Sequence, residues 1–272
     1  MDESPAPGPV VAEAAELYDR ARPSYPAEIF ADLAELAELR PEARLVEIGC
    51  GTGQATRPLA ERGYAITCVE LDGEAAALAR RNLAGLRNVE IVNADFEAWR
   101  PEHGGYDAVV AFSSFHWIAP DRRYRIAAEL LGRSGKLVVV SLVHVLPDGG
   151  DPFFGDVADD YVAVLGEDAR EMLTIGRPPH PDAVAALSDR VVSEELEASG
   201  AFRLIGTRRA FWDVTYPCDG YIDLLMTVST YRRLEPALRE RLFARLRQRI
   251  GARPGARVRV RYMALLYVAE RT

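Results

Sequence analysis

Three glycines carry the strongest chemical signal in the chain. In the segment LVEIGCGTGQAT (Leu45 to Thr56), an apolar run gives way to a helical pattern through Gly49, Gly51 and Gly53. Glycines at a strand-to-helix turn let the backbone approach a ligand closely and adopt conformations closed to other residues. A dinucleotide fingerprint needs its third glycine at position 54, which is Gln54 here. Glu47 is expected to project a carboxylate into the strand end, where a pyrophosphate would be repelled. A ligand with an ammonium group and no phosphate suits such a loop. The next β-rich run ends in CVELDG, and Glu70 stands where an acidic side chain can accept both hydroxyls of a ribose. That role serves any adenosine cofactor. Asp95, in the following NADFEAW, is placed to accept from an adenine amino group, with Phe96 or Leu71 packing on the ring; it would equally serve as a helix N-cap.

Side chains able to move a proton are few. His116, in FSSFHWI just past the fourth β-rich run, can titrate near neutral pH and take a proton from a hydroxyl or phenol. Trp117 would form an apolar wall beside it. The same two residues would also serve simply by packing. His144, at the end of the fifth run, is a second candidate for the site, while His103 and His180 fall in loops. Cys50, Cys68 and Cys218 are odd in number and widely spaced, so neither a disulfide framework nor a metal half-site is expected.

The elements that would position these residues alternate along the chain. Helical patterns cover about Val10 to Asp19 and Ala27 to Leu39. From Arg44 onward short β-rich runs alternate with helical ones: RLVEI, YAITCVE, NVEIVN, YDAVVAF and KLVVVSLVHV. This alternation predicts an α/β fold with a mostly parallel sheet covered on both faces. Gly63 and Gly132 sit where left-handed helix caps are expected. After Pro147 the alternation stops. Residues 148–200 read as a helical insertion or lid after the fifth strand, broken at RPPHP, and two strands follow (201–214 and 257–270) with helices between them. The expected organisation is an N-terminal helical cap over 1–40, a core over 41–147 and 201–272, and the lid.

Composition narrows the function classes. The 272 residues carry a formal net charge of -8, which argues against nucleic acid and anionic membranes as partners. The Arg239–Arg249 run has Leu and Phe at helical spacing and reads as a solvated amphipathic helix. No apolar run approaches membrane-spanning length and the N-terminus lacks signal-peptide features, so a cytoplasmic protein is expected.

Taken in order, EIGCGTG, Glu70, NADFE and YDAVVAFSSFHWI resemble the class I S-adenosylmethionine-dependent methyltransferases. YDRARPSYP with SFHWI is similar, more narrowly, to small-molecule members that include trans-aconitate methyltransferase-like proteins. The resemblance runs from about Tyr18 to the last strand and is weakest over 148–200. It implies a Rossmann-like seven-stranded sheet with one antiparallel strand and S-adenosylmethionine at the carboxyl ends of the strands. By position, Gly49, Gly51 and Gly53 with Glu47 would line the methionine portion. Glu70 would hold the ribose, Asp95 the adenine amino group, and Phe96, Leu71 and Phe112 apolar surface, with Tyr18 and Arg22 closing over the amino-acid end. Acceptor contacts are expected from Trp117, His144, Tyr221, Met226 and Tyr231, with Leu225 beside them and Arg232 and Arg233 nearby; ordinary helix packing or a solvated face accounts for the same residues. No metal is implied. The reaction implied is methylation of a small molecule, with oxygen favoured as the acceptor atom, by a monomer or homodimer. An NAD-dependent oxidoreductase and a non-catalytic adenosylmethionine-binding protein remain the alternatives. An RNA or protein methyltransferase is disfavoured because the place after the fourth strand reads SSFHW rather than Asn/Asp-Pro-Pro-Tyr.

Overall fold

A computed structural model of the chain describes residues 12–166 and 176–272. Its centre is a seven-stranded sheet in the order β3-β2-β1-β4-β5-β7-β6. The strands are β1 (Arg44–Ile48), β2 (Ala65–Glu70), β3 (Val89–Asn93), β4 (Tyr106–Phe112), β5 (Leu131–Val145), β6 (Phe202–Pro217) and β7 (Arg257–Arg271). The first five run parallel, and β7 inserts antiparallel between β5 and β6. The expected Rossmann-like sheet with one reversed strand is therefore present. Strand order reverses between β1 and β4, so the two connections leave in opposite directions and open a crevice at the carboxyl ends of these strands, where open α/β sheets bind ligands.

The pattern of apolar residues explains the layers. Leu45, Val46 and Ile48 of β1 and Ala108 to Phe112 of β4 are buried on alternating sides, as central parallel strands require. One face is covered by α2 (Ala27–Leu36), α3 (Thr56–Ala60) and α4 (Gly73–Asn82), through Ile29, Phe30, Leu33, Leu59, Ala79 and Leu83. The other is covered by α5 (Pro120–Leu130) and by α8 (Pro181–Ser199), through Tyr124, Ile126, Ala127 and Leu196. The expected continuation of α2 to Leu39 does not occur, because Glu38 adopts φ 52 and ends the helix early. Gly63 has the expected left-handed φ of 90, but Gly132 does not: α5 passes straight into β5 without such a cap.

Strands β5, β6 and β7 have 15, 16 and 15 residues, against five to seven in β1–β4. Their extra length projects past the crevice and carries a second apolar core. Into it pack α6 (Phe153–Asp156), α7 (Ala158–Leu165), α9 (Cys218–Met226), α10 (Ser229–Arg233) and α11 (Pro236–Gly251). The first helix, α1 (Ala12–Ala21), lies against α4 and α9 and joins the two halves. The 148–200 stretch thus divides. Its start joins this cap, whereas α8 covers the sheet. Residues 167–175 of that stretch, and Val10 and Val11 of the first helical pattern, lie outside the described residues.

Candidate functional site

The loop after β1 has the geometry its glycines imply. Gly49, Gly51 and Gly53 all have positive φ (63, 57 and 91). A Cβ on Gly49 would come within 2.8 Å of Ser114 Cβ, so this position is closed to side chains by the β4 loop. A Cβ on Gly51 would meet nothing within 4 Å, so its backbone borders open space. Gly49 N–H donates to the Val69 carbonyl at 2.8 Å, which ties the turn to β2.

Glu70, at the end of β2, is 8 % exposed. Its carboxylate accepts from Gly51 N–H at 2.8 Å and Asp72 N–H at 2.9 Å, and lone pairs remain for a ligand. Burial raises its pKa, partly offset by these backbone bonds. Leu71 is 56 % exposed beside it and available as an apolar platform.

Several expected site residues are placed elsewhere. Glu47 does not project into the crevice. It is 1 % exposed beneath the loop, where its Oε2 accepts from Thr56 Oγ1 at 2.7 Å. Burial pushes its pKa up to about 7. Phe96 faces the sheet and stacks on Trp99 at 6.5 Å, and Phe112 stacks on Phe30 at 5.6 Å, so neither ring is presented to a ligand. Asp95 is exposed and accepts from Glu97 N–H at 2.9 Å, the turn-capping role, with its second oxygen left over. Tyr231 is fully buried with its hydroxyl 2.6 Å from that of Tyr161, and Tyr221 is buried against Phe153 and Phe154; both belong to the cap core rather than to a pocket wall. Met226 packs at the edge of that core, and Leu225 is buried within it. Arg232 and Arg233 are exposed on α10, as a solvated face would be.

At the end of β4 three residues not singled out in the sequence come together. Ser113 has φ 54, a left-handed conformation that is uncommon for serine and costs strain. Its Oγ accepts from Leu142 N–H at 3.1 Å and lies 3.1 Å from the Tyr25 hydroxyl. Ser114 Oγ donates to the Ile48 carbonyl, locking the β4 loop against the glycine turn. Tyr25 lies in the YDRARPSYP segment and Ser113 and Ser114 in SSFHW. Position within those motifs, not residue type, was the available signal.

His116 follows these serines. With Ser113 and Ser114 it lines a cleft of about 340 Å³ between α8 and the sheet, whose remaining walls include Leu137, Val139, Val191 and Leu196. The residue is exposed to solvent on one side, and partial burial of the ring, then the Arg123 charge, lower its pKa. Arg123 itself is ion-paired with Glu195, which also accepts from the Tyr124 hydroxyl at 2.7 Å. Trp117 is 59 % exposed, and so forms no enclosed wall. Tyr18 is 37 % exposed, with the Arg22 guanidinium 5.2 Å from its ring centre. His144 lies on the cap side of β5, its ring 4.7 Å from Phe154 and 5.9 Å from Tyr262.

Cys50, Cys68 and Cys218 are free thiols, and no cluster among the described residues has the make-up of a metal site. No described helix is long and apolar enough to cross a membrane.

Comparison with known proteins agrees with the loop and the sheet. Residues 45–133 match a family described as a methyltransferase domain. Over 246 residues the chain is 27 % identical to trans-aconitate 2-methyltransferase of Deinococcus radiodurans, covering 88 % of this chain and 91 % of that one. Several other curated relatives are matched over only 19 % to 53 % of their own length. Among solved structures, a methyltransferase of Bacillus halodurans described as putative superposes with TM-score 0.52 at 18 % identity, covering 90 % of this chain and 99 % of that one. Haemonchus contortus phosphoethanolamine N-methyltransferase 2, solved with phosphomonomethylethanolamine and S-adenosylhomocysteine, superposes with TM-score 0.54 at 14 % identity, covering 96 % and 57 %.

Proposed function

We propose, from the premise that this chain is a class I S-adenosylmethionine-dependent methyltransferase, that it moves the cofactor's methyl group to an oxygen of a small molecule. The residues fit the cofactor. The open Gly51 position admits a ligand against the backbone, and Glu70 offers a buried carboxylate to a ribose. Leu71 gives the adenine an apolar surface and Asp95 an acceptor oxygen. When bound, S-adenosylmethionine supplies a methyl carbon on a sulfonium, displaced in line as a neutral thioether departs.

The protein's work is then alignment and exclusion of water, with proton removal where the acceptor is a hydroxyl. Ser113 and Ser114 hold the β4 loop against the glycine turn, and His116 takes the acceptor's proton. The observation that carries the oxygen reading is the placement of His116 beside Ser113 and Ser114 on one cleft at the end of β4. A hydroxyl needs such a base. The relative's name, trans-aconitate 2-methyltransferase, supports a small oxygen-bearing acceptor. The acidic net charge favours a metabolite over nucleic acid.

The test is incubation with S-adenosylmethionine and a panel of hydroxylated and carboxylated metabolites, following S-adenosylhomocysteine and products heavier by one methylene. An O-methylated product supports the reading. Methyl groups found only on nitrogen or carbon overturn the oxygen assignment, and failure to bind S-adenosylhomocysteine overturns the premise.

A further inference from the structure

On the cap side of the crevice, two buried polar atoms have no hydrogen-bond partner: Arg22 Nε and His144 Nε2. They share a neighbourhood. The Arg22 guanidinium is close enough to Tyr25, Tyr216 and Tyr262 to draw their hydroxyl pKa values down against a larger upward effect of burial. The His144 ring lies 5.9 Å from that of Tyr262, and the Tyr262 hydroxyl lies 3.1 Å from that of Tyr216. His144, Tyr262 and Trp212 face one another across β5, β7 and β6 in one row of the sheet, and Phe154 closes over His144.

We propose that Arg22, His144 and the Tyr216–Tyr262 pair form a subsite for a carboxylate carried by the methyl acceptor, distinct from the atom that is methylated. The proposal rests on the methyltransferase reading above. Its chemistry follows from the donors present. Among the described residues, the Arg22 side chain makes one hydrogen bond, from Nη2 to the Thr227 carbonyl at 3.3 Å, and no described carboxylate pairs with it. A half-buried guanidinium with an unused donor amid aromatic rings lacks an anion. Burial drives the His144 pKa down to about 3, so the ring is uncharged and offers a single N–H. The Tyr216–Tyr262 pair, with one hydroxyl proton spent between the two oxygens, adds one further donor. The set matches a planar carboxylate better than a phosphate, whose greater charge would meet one cation only.

Most of these donors stand on the cap side, apart from the glycine loop. Besides Tyr25 and the Tyr18 ring of α1, the groups around Arg22 come from the ends of β5, β6 and β7 and from the turn after α9, none of which borders the Gly49–Gly53 loop; α1 itself reaches the end of that loop, where Gln54 Nε2 donates to the Asp19 carbonyl at 3.0 Å. The Tyr25–Ser113 contact links this cluster to the β4 loop and its cleft. A carboxylate held by a guanidinium is also a weakened nucleophile, so it serves as the handle by which the acceptor is oriented. On this reading Arg22 serves the acceptor, and titration separates that role from one at the amino-acid end of the cofactor.

Calorimetric titration of the full chain tests this, using S-adenosylhomocysteine first and then, on the saturated protein, benzoate against benzamide and succinate against succinamide. The wild type should bind at least one acid about ten-fold or more tightly than its amide. Arg22→Gln should lose that preference while holding S-adenosylhomocysteine within about two-fold. Equal binding of acids and amides by the wild type, or no binding of either, overturns the proposal. So does a loss of about ten-fold in S-adenosylhomocysteine affinity in Arg22→Gln, which would give the anion to the cofactor. Should Arg22→Gln not fold, Tyr262→Phe takes its place, expected to narrow the acid preference, and an unchanged preference counts against the subsite. A wild type that binds no S-adenosylhomocysteine would instead strike the methyltransferase premise.

Discussion

Glu47 offers a test of the site's electrostatics that needs no substrate. Its carboxyl sits 1 % exposed under the glycine loop, with a pKa raised from 4.5 to about 7 first by burial. Hydrogen bonds from Thr56 and Cys68 oppose the shift without cancelling it. Below the unfolded pKa both states hold the proton and the group costs nothing. As pH rises from there toward 7, the unfolded chain releases its proton and the folded one retains it, so stability falls across that window and then levels off. Holding the proton up to about 7 instead of 4.5 corresponds to about 3 kcal/mol lost by pH 8 relative to pH 4. Glu47→Gln keeps an oxygen to accept from Thr56 Oγ1 but cannot ionise. Any packing or amide-pairing offset in the variant is independent of pH, so the informative quantity is how the difference from wild type changes. Urea unfolding of both proteins at several pH values from 4 to 8 should show the variant gaining on wild type by about 2–3 kcal/mol over the range. A difference that stays constant with pH would refute the buried, proton-retaining carboxyl.

Glu70→Ala should weaken S-adenosylhomocysteine binding by about 1–3 kcal/mol in calorimetry, through loss of a charge-assisted bond to the ribose and of the Gly51 N–H anchor; unchanged affinity would remove Glu70 from the site. Gly51→Ala should lose cofactor affinity; both it and Gly49→Ala put a side chain at positive φ and should lower the thermal midpoint, Gly49→Ala by more because its Cβ also meets Ser114, and equal effects on stability would contradict the geometry. His116→Ala should cut turnover roughly 100-fold if it is the base. With its pKa lowered by burial, wild-type activity should rise with pH below 6.5 and be level above it. A few-fold loss with the same pH profile would make His116 a packing residue.

The sheet was legible because its signal is physical at the level of the residue. β1, β4 and β5 are buried on both faces, and only runs such as LVEI and AVVAF satisfy that. The glycine loop and Glu70 were legible for a related reason: positive φ at three positions, and a carboxylate at the adjacent strand end, leave a composition that little else requires. What misled was aromatic identity. Phe96, Phe112, Tyr221 and Tyr231 stand at the ends of strands and on amphipathic helices, where residue type does not say which side of the chain is crevice and which is core. Ser113 shows the converse. Its strained φ of 54 is set by the Tyr25 and Leu142 contacts that hold it, which join segments far apart in sequence.

The two halves of the crevice are stabilised by separate means, and that separation has a functional consequence. The cofactor half is fixed within the short strands, by Ser114 on the Ile48 carbonyl, Gly49 on Val69 and Glu70 on the loop. The cap half hangs on the long strands and is tied by buried carboxylates. Asp160, 6 % exposed, pairs with Arg245 and Arg249, linking α7 to α11. Asp151, 7 % exposed, pairs with Arg253 and accepts from Arg259 N–H, linking the start of α6 to β7. The carboxylates are buried while their arginines are 24–50 % exposed, so solvent screens each tie, and the ties act chiefly to set the cap's register. Direct contacts between the halves are fewer: α1 against α4 and α9, Arg22 on Thr227, and Tyr25 on Ser113. Residues lining the cap can therefore change the acceptor that is held without disturbing the loop that holds the cofactor. Both functions meet at the Tyr25–Ser113 contact, which ties the β4 loop to the N-terminal segment.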